Sequence, residues 1–137
     1  MIAEEPDPGG LAATVVVADD EIHILDLVAS IVEELGHAVI RASNGEQALR
    51  AVLEHRPPLV LTDVMMPRLR GDELCRRVKG SPATAGIAVV LLTSLPPDNF
   101  DQDGADAYIA KPFAIEQIQR VVVRLLGHGG ALRARPD

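Results

Sequence analysis

Five polar residues whose side chains could do chemistry each follow a short apolar run. Asp19 and Asp20 follow "VVVA", Asp63 follows "LVLT", Thr93 follows "VVLL", and Lys111 follows "AYIA". Repulsion and the loss of hydration both disfavour two adjacent carboxylates at the end of a buried strand. Asp19 and Asp20 are therefore candidates for a functional site.

If the apolar runs are parallel strands, these polar groups meet at one place. The carboxyl ends of parallel strands share one edge of the sheet, and ligands bind there where the strand order reverses. Three carboxylates this close raise one another's pKa unless a cation joins them. Mg²⁺, with Mn²⁺ as a substitute, is the hard cation that fits such oxygens. A neighbouring lysine and hydroxyl would then clamp an anionic group, most naturally a phosphoryl group.

The rest of the chain has the pattern that would supply such a sheet. Short apolar runs alternate with longer amphipathic stretches, which is typical of βα units. Runs this continuously apolar are expected of strands covered on both faces. We predict five strands, at residues 14–18, 38–42, 59–62, 87–92 and 107–110.

Four amphipathic helices are predicted from apolar spacing, within residues 21–36, 45–54, 71–79 and 114–126. Ser43 and Glu46 have the spacing of a capping box for the second helix. The predicted inward positions are Ile24, Leu27, Val28, Ile31 and Leu35 in the first helix, Ala48, Leu49, Val52 and Leu53 in the second, Leu74, Cys75 and Val78 in the third, and Ile115, Ile118, Val122 and Leu125 in the last.

The fourth crossover, between Thr93 and Tyr108, has an unusual composition. Its sequence "SLPPDNFDQDGADA" contains two prolines, a glycine and four aspartates. These residues favour a loop, or at most one or two helical turns. We expect the segment to be among the most mobile in the domain. "DQDGAD" resembles part of a calcium-binding loop, but it lacks the closing glutamate, so we interpret it as solvated.

Composition limits the classes of protein to which the chain could belong. Its 137 residues suit one domain, and a net charge of -7 argues against nucleic acid or an anionic membrane as the main partner. Cys75 is the only cysteine, which excludes a disulfide framework and a cysteine zinc site, and which suits the cytoplasm. We expect a flexible leader at residues 1–12, a domain at 13–127 and a flexible tail at 128–137.

Four motifs together resemble the receiver domain of two-component response regulators. They are "VVVADDE", "LVLTDVMMPRLRG", "VVLLTS" and "AYIAKPF", and they span residues 15–113. The resemblance implies an α/β, flavodoxin-like (βα)5 three-layer sandwich with a parallel sheet in the order 2-1-3-4-5. From the composition of the fourth crossover, we expect the fourth helix to be short or absent.

The resemblance also implies a role for each residue of the acidic group. Asp63 matches the aspartate that accepts phosphate from a histidine kinase or a histidine phosphotransfer protein. Asp20 matches the carboxylate that binds Mg²⁺ directly, and Asp19 lies beside it as a ligand of the metal or of its water. The backbone carbonyl of Met65 matches the third protein ligand.

The remaining matches concern activation. Thr93 matches the hydroxyl that contacts the phosphoryl oxygens, and Lys111 matches the ammonium that pairs with Asp63 and then with phosphate. Tyr108 matches the aromatic that changes rotamer with the threonine, although it could also be a plain core residue. The Lys111–Pro112 peptide bond is expected to be cis, as in the family.

These features predict a stand-alone signalling module, a monomer or weak homodimer. It would phosphorylate itself from a donor, have intrinsic autodephosphorylation at most, and not otherwise be an enzyme. A downstream protein is its expected target, docked on the final helix and its residues 121–123. Two alternatives stay open. A Mg²⁺-dependent phosphohydrolase would need a second aspartate where Met65 stands, and a longer regulator with a DNA-binding or enzymatic output would need sequence beyond this chain.

Other potentially reactive residues are interpreted as structural. Cys75 has the spacing of a buried helix position, where it acts as a small hydrophobic residue. The four histidines have no ligand spacing to one another, and we assign them to the surface or to packing. Met65 and Leu95 are apolar where many receiver domains carry polar groups that influence how water reaches the phosphate.

Overall fold

A parallel five-stranded sheet forms the centre of the computed structural model, which describes residues 12–127. The strand order is β2-β1-β3-β4-β5. The strands are β1 (Thr14–Ala18), β2 (Ala38–Ala42), β3 (Leu59–Asp63), β4 (Ala88–Thr93) and β5 (Ala107–Ala110). The predicted parallel sheet and its order are confirmed. Asp63 and Thr93 are themselves the last residues of their strands, one position later than the predicted strand ends.

Within the described range, residues 12–127, four α-helices cover the two faces of the sheet. They are α1 (Ile22–Glu34), α2 (Gly45–His55), α3 (Gly71–Lys79) and α4 (Ile115–Leu126). Alternate strand residues point to opposite faces, so each strand contributes to two cores. Val16, Val60 and Leu91 pack in the core that includes residues of α2 and α3. Val17 and Leu61 pack in the core on the other face, with α1 and α4.

Three predicted inward positions are wrong. Leu27, Leu53 and Ile115 are 40%, 53% and 47% exposed. The stripe of a helix that faces a sheet is only a little over 100° wide, so an apolar residue one position off it turns toward solvent. In α1 the stripe is completed by Leu25 and Ala29, which are buried, and Leu27 lies beyond it.

The predicted cap of α2 is also displaced by one residue. Asn44 is the N-cap, and its side chain accepts a hydrogen bond of 2.8 Å from the backbone N of Gln47. The Gln47 side chain accepts one of 2.8 Å from the backbone N of Ser43. Asn is as good an N-cap as Ser. Glu46 takes no part in the cap, contrary to the predicted Ser43 and Glu46 pair.

The fourth crossover contains a single short 3₁₀ helix, Pro97–Asn99, which confirms that the fourth helix is reduced. Phe100 is buried and anchors the segment in the core that includes α2 and α3. The expected docking of a partner on residues 121–123 is wrong for two of the three, since Val121 and Val122 lie on the buried side of α4.

The predicted leader and tail lie outside the described residues, apart from Ala12. Among residues 12–127, no helix has the length and apolar character needed to cross a membrane.

Candidate functional site

Parallel pairing brings the predicted site residues to the carboxyl edge of the sheet. Asp63 ends β3 opposite Leu92 of β4, and Thr93 ends β4 opposite Ala110 of β5. Lys111 follows directly, and its backbone N donates a 2.9 Å hydrogen bond to the carbonyl of Thr93. The chain crosses from one side of β1 to the other between β2 and β3, so the strand order reverses next to this edge.

An acidic cluster occupies the edge above β1 and β3. Carboxylate oxygens of Asp19, Asp20 and Asp63 all lie within 4.8 Å of one another. Asp19 and Asp63 are buried, at 2% and 7% exposure, whereas Asp20 is exposed. Burial and the charge of Asp19 raise the pKa of Asp63 above its usual 3.8, and Lys111 only partly opposes this. A hard divalent cation would relieve the repulsion, so the three residues fit Mg²⁺.

Lys111 is the cation of the site, and it sits between two of the carboxylates. Its Nζ lies 2.9 Å from Oδ2 of Asp19 and 3.3 Å from Oδ1 of Asp63. Burial lowers the pKa of Lys111, but the hydrogen bond to Asp19 and the charge of Asp63 outweigh it and raise that pKa above 10.5. The ammonium is therefore charged at neutral pH, and it is closer to Asp19 than to its expected partner, Asp63.

The backbone around Asp63 fixes the orientation of its carboxylate. The backbone N of Val64 donates a 2.9 Å hydrogen bond to Oδ1 of Asp63, and the Thr62 hydroxyl donates one of 2.9 Å to the Asp63 carbonyl. A Cβ added to Gly71 would lie 1.9 Å from that carbonyl oxygen. Only glycine therefore lets the start of α3 pack against Asp63. The sequence offered no signal for this beyond a glycine at the start of an amphipathic helix.

The turn between β1 and α1 holds the Asp19 carboxylate. The backbone N of Glu21 donates a 2.9 Å hydrogen bond to Oδ1 of Asp19, and the Glu21 side chain caps α1 by accepting one from the backbone N of Ile24. The positive end of the helix macrodipole lies beside these acids and offsets part of their repulsion. Asp19 is thus held on one oxygen by the turn and on the other by Lys111.

Thr93 and Tyr108, the predicted switch residues, are engaged with the fourth crossover. The buried Thr93 hydroxyl accepts a 3.0 Å hydrogen bond from the backbone N of Leu95. The half-buried Tyr108 ring packs on Phe100, with centroids 5.1 Å apart and planes tilted by 59°. Tyr108 is thus a packing partner of Phe100 in the crossover, and its role in switching stays a prediction. The Lys111–Pro112 bond is cis, as expected.

Met65 lies in the loop between β3 and α3, with a side chain that is 51% exposed. Its sulfur is 3.7 Å from a guanidinium nitrogen of Arg70, which forms a bidentate pair with Asp72. Asp72 is buried. Sequence reasoning missed Arg70 and Asp72. Charged residues near the start of a helix are normally solvent-exposed, and only the tertiary packing buries Asp72.

His37, which the sequence assigns to the surface or to packing, is a buried packing residue. His37 is 4% exposed, and its Nδ1 accepts a 3.1 Å hydrogen bond from the backbone N of Ala13. With that tautomer, Nε2 donates to the carbonyl of Gly127 at 3.1 Å. His37 therefore packs the two ends of the described chain together and lies away from the acidic cluster.

Comparison with known proteins agrees with the geometry of the site. The model of the response regulator receiver domain matches residues 15–123. The phosphate regulon transcriptional regulatory protein PhoB of Pseudomonas aeruginosa is 35% identical over 85% of this chain and 54% of its own length. The polar-differentiation response regulator DivK of Brucella anthropi is 29% identical over 84% of this chain and 96% of its own length.

A solved structure extends the comparison to a bound metal. The receiver domain of the sensor histidine kinase PA1611 of Pseudomonas aeruginosa, which has magnesium coordinated in its active site cleft, is 25% identical. It superposes with a TM-score of 0.77 over 85% of this chain and 98% of that one. This chain spans about half of PhoB and nearly all of DivK. Because the family match runs through both cores and the whole acidic edge, the chain belongs to the receiver domains of two-component response regulators.

Proposed function

We propose that this chain is a phosphorylation-controlled switch in which Asp63 accepts a phosphoryl group from a histidine kinase or a histidine phosphotransfer protein. Receiver domains are signalling modules and not classical enzymes, and they interact with histidine kinases and downstream targets. One observation carries the proposal for these residues. The buried Asp63 carboxylate lies among two further carboxylates and 3.3 Å from the Lys111 ammonium.

The reaction we propose is an in-line transfer. An oxygen of the ionised Asp63 carboxylate attacks the phosphorus of a phosphohistidine, the P–N bond breaks, and the imidazole leaves. The product is an aspartyl phosphate. The Val64 amide and Lys111 hold Oδ1 of Asp63, so the carboxylate is oriented before the donor arrives.

The acidic cluster would hold the metal that the family uses. Asp19, Asp20, Asp63 and the backbone carbonyl of Met65 would bind Mg²⁺, with Mn²⁺ as a substitute, and the bound ion would neutralise charge on the phosphoryl oxygens. Lys111 would contribute further positive charge by turning from its carboxylate partners to a phosphoryl oxygen. The positive charge of the ion and of Lys111 would offset the repulsion between the three acids and the incoming phosphoryl group.

The output we propose is a change of surface next to β4 and β5. The Thr93 hydroxyl would exchange its hydrogen bond with Leu95 for one with a phosphoryl oxygen, and Tyr108 would adjust its packing on Phe100. A few kcal/mol of differential contact suffices to shift such a two-state element. Hydrolysis of the aspartyl phosphate by water would release inorganic phosphate, regenerate the Asp63 carboxylate and reset the switch.

We favour a single-domain regulator that signals through protein contacts, as a monomer or weak homodimer. The match to DivK, which covers 96% of that protein, supports this form. The buried, single Cys75 is compatible with a reducing cytoplasm. A longer DNA-binding regulator is the competing form, because PhoB is matched only over 54% of its length, and the sequence of the full gene would distinguish the two.

Intact mass spectrometry tests the proposal. After incubation with acetyl phosphate or phosphoramidate, the parent chain should gain one phosphoryl group with Mg²⁺ or Mn²⁺ present and none when the metal is chelated. Asp63→Asn should gain none. Asp98→Asn, which removes an exposed carboxylate outside the cluster, should behave as the parent. Labelling of Asp63→Asn at the parent rate, or labelling without metal, would refute the assignment.

A further inference from the structure

The Arg70 side chain contacts three parts of the molecule at once. Its Nε and Nη2 donate hydrogen bonds of 3.0 and 2.9 Å to the two carboxylate oxygens of Asp72 in α3. Nη2 also donates one of 3.2 Å to the backbone carbonyl of Asn99 in the fourth crossover. Nη1 lies 3.7 Å from the sulfur of Met65. One guanidinium therefore spans the loop after Asp63, the start of α3 and the crossover.

Asp72 ties the same crossover from the other side. It is 7% exposed, and it accepts hydrogen bonds of 3.0 Å from the backbone N of Asp101 and 3.1 Å from that of Glu73. Burial alone would raise its pKa, but the hydrogen bonds from Arg70 and Asp101 lower it below 3.8. A buried, ionised carboxylate with this many donors has little freedom to move.

The position of Arg70 is not explained by helix stability. Arg70 is the N-cap residue of α3, where its side chain makes no capping hydrogen bond. A cation near a helix N-terminus opposes the macrodipole, and an acid is the favoured residue there. The bidentate pair with Asp72 compensates for this. What remains specific to Arg70 is its contact with Asn99 on one side and Met65 on the other.

The tied segment leads directly to the aromatic residue of the proposed switch. Asn99 and Asp101 flank the buried Phe100, whose ring packs on Tyr108. With only one 3₁₀ turn, the crossover has few internal hydrogen bonds to fix its shape. Its position therefore depends on the ties to α3 and on the seating of Phe100.

We propose that Arg70 and Asp72 form a clamp that couples the loop after Asp63 to the fourth crossover. In this chain the clamp positions the Met65 loop for metal binding, and it relays a rearrangement of that loop to residues 99–101 and so to Phe100 and Tyr108. The inference rests on the proposed metal site, whose loop the clamp holds.

The coupling is measured by amide hydrogen exchange, followed by NMR at the Asp101 amide, with Mg²⁺ alone as the probe. In the parent chain, saturating Mg²⁺ should slow exchange at Asp101 by roughly fivefold, the lower end of ordinary coupling between sites. Arg70→Gln should lose this difference, and its Kd for Mg²⁺ should rise by a similar factor because coupling is reciprocal. Arg70→Lys, which keeps the charge without the planar fork, should lose most of the difference.

Arg77→Gln is the matched control. It removes an arginine of α3 together with its 3.3 Å ion pair to Glu73, and neither of these two side chains contacts the loop or the crossover directly. Glu73 keeps its second partner, Arg76, so the ion pair of Arg76 with Asp101 is left in place. It should respond to Mg²⁺ as the parent does. An equal loss in Arg77→Gln, or a parental response in both Arg70 variants, would overturn the clamp.

The test also separates this inference from the proposed function. If the parent chain binds Mg²⁺ but exchange at Asp101 does not respond, the clamp is wrong and the metal site stands. If the parent chain does not bind Mg²⁺ at all, the metal site is wrong and the clamp falls with it.

Discussion

At the scale of single residues, the acidic edge is a set of charges held close together by the fold. Asp19 is neutralised by Lys111 at 2.9 Å, which leaves Asp63 with a more distant cation and a raised pKa. Burial is the larger cause of that rise. The site therefore destabilises the folded state most when Asp63 is ionised and no metal is present.

Mg²⁺ should raise the melting temperature of the unphosphorylated chain, because a ligand that binds only the folded state stabilises it. At ten times its Kd, one bound ion adds about 1.4 kcal/mol to the free energy of unfolding. The increase should shrink in Asp20→Asn and persist in Asp98→Asn, as followed by differential scanning fluorimetry. A melting curve that is unchanged at millimolar Mg²⁺ would count against the metal site.

Replacing the proposed acceptor should stabilise the metal-free fold. Asp63→Asn removes a buried charge that Asp19 repels, while its side-chain oxygen keeps the hydrogen bond from Val64. We expect the free energy of unfolding at pH 7, measured in urea, to be higher in Asp63→Asn than in the parent chain. Asp103→Asn, an exposed change, should leave it unaltered. A less stable Asp63→Asn would show that its pairing with Lys111 outweighs repulsion and burial.

At the scale of elements, the sheet and helices were predictable because their signals are local and repeated. Each strand is a continuous apolar run. Each helix repeats its apolar residues at helical spacing, so the helix is still recognised when one inward residue is assigned wrongly. The details that failed depend on neighbours. Leu53 is one position off the buried stripe of α2, and Asn44 displaced Ser43 as its cap, and neither choice is visible without the packed partner.

The residues of the candidate site also fall into two groups, those that the sequence alone brings together and those that it does not. Asp19, Asp63 and Lys111 could be placed together because parallel strands share a carboxyl edge, and that inference needs only the strand ends. Arg70 and Asp72 could not, because the burial of Asp72 and the contacts of both residues with Asn99 and Asp101 depend on where the fourth crossover packs against α3. The crossover itself was predicted to be nearly without helix, since its prolines and aspartates disfavour one, and this is confirmed.

The crossover is tied to α3 and to β4, and these ties bear on its predicted mobility. Asp101 pairs with Arg76 at 3.0 Å, and Asp106 pairs with Lys79 at 2.9 Å and accepts a 2.8 Å hydrogen bond from the backbone N of Val89. Slow amide exchange across residues 97–104 would contradict the prediction. Fast exchange there, with protection limited to the tied amides, would agree with it.

The tie at Asp106 should appear in the pH dependence of stability. Burial alone would raise the pKa of Asp106, but hydrogen bonds from Lys79 and Val89 lower it below 3.8. The folded state therefore binds the proton less readily than the unfolded chain, so this contribution is present above pH 3.8 and is lost as the pH falls through the lowered value.

Asp106→Asn should lower the free energy of unfolding by about 1 kcal/mol at pH 7, a modest loss because partial exposure screens the ion pair. It should also flatten the fall in stability below pH 4, measured by urea unfolding at a series of pH values. Asp98→Asn serves as the control. An Asp106→Asn variant that keeps the parental slope would contradict this account of the tie.

At the scale of the whole molecule, the site lies where the two helical layers meet the carboxyl edge of the sheet. Asp19 leads into α1 on one face, and Asp63 leads through its loop into α3 on the other. Lys111 joins the end of β5 to both carboxylates. A phosphoryl group on Asp63 would therefore act on contacts that connect both layers, which is the arrangement a two-state switch requires.

The central claim is that Asp63 itself carries the phosphoryl group, and chemical trapping tests it most directly. The parent chain is incubated with Mg²⁺ and acetyl phosphate, and the acyl phosphate is then reduced with borohydride, which converts a phosphorylated aspartate into homoserine. Peptide mass spectrometry should find homoserine at position 63 alone, and only when donor and Mg²⁺ were both present. Homoserine at Asp19, Asp20 or another aspartate with none at position 63 would contradict the account.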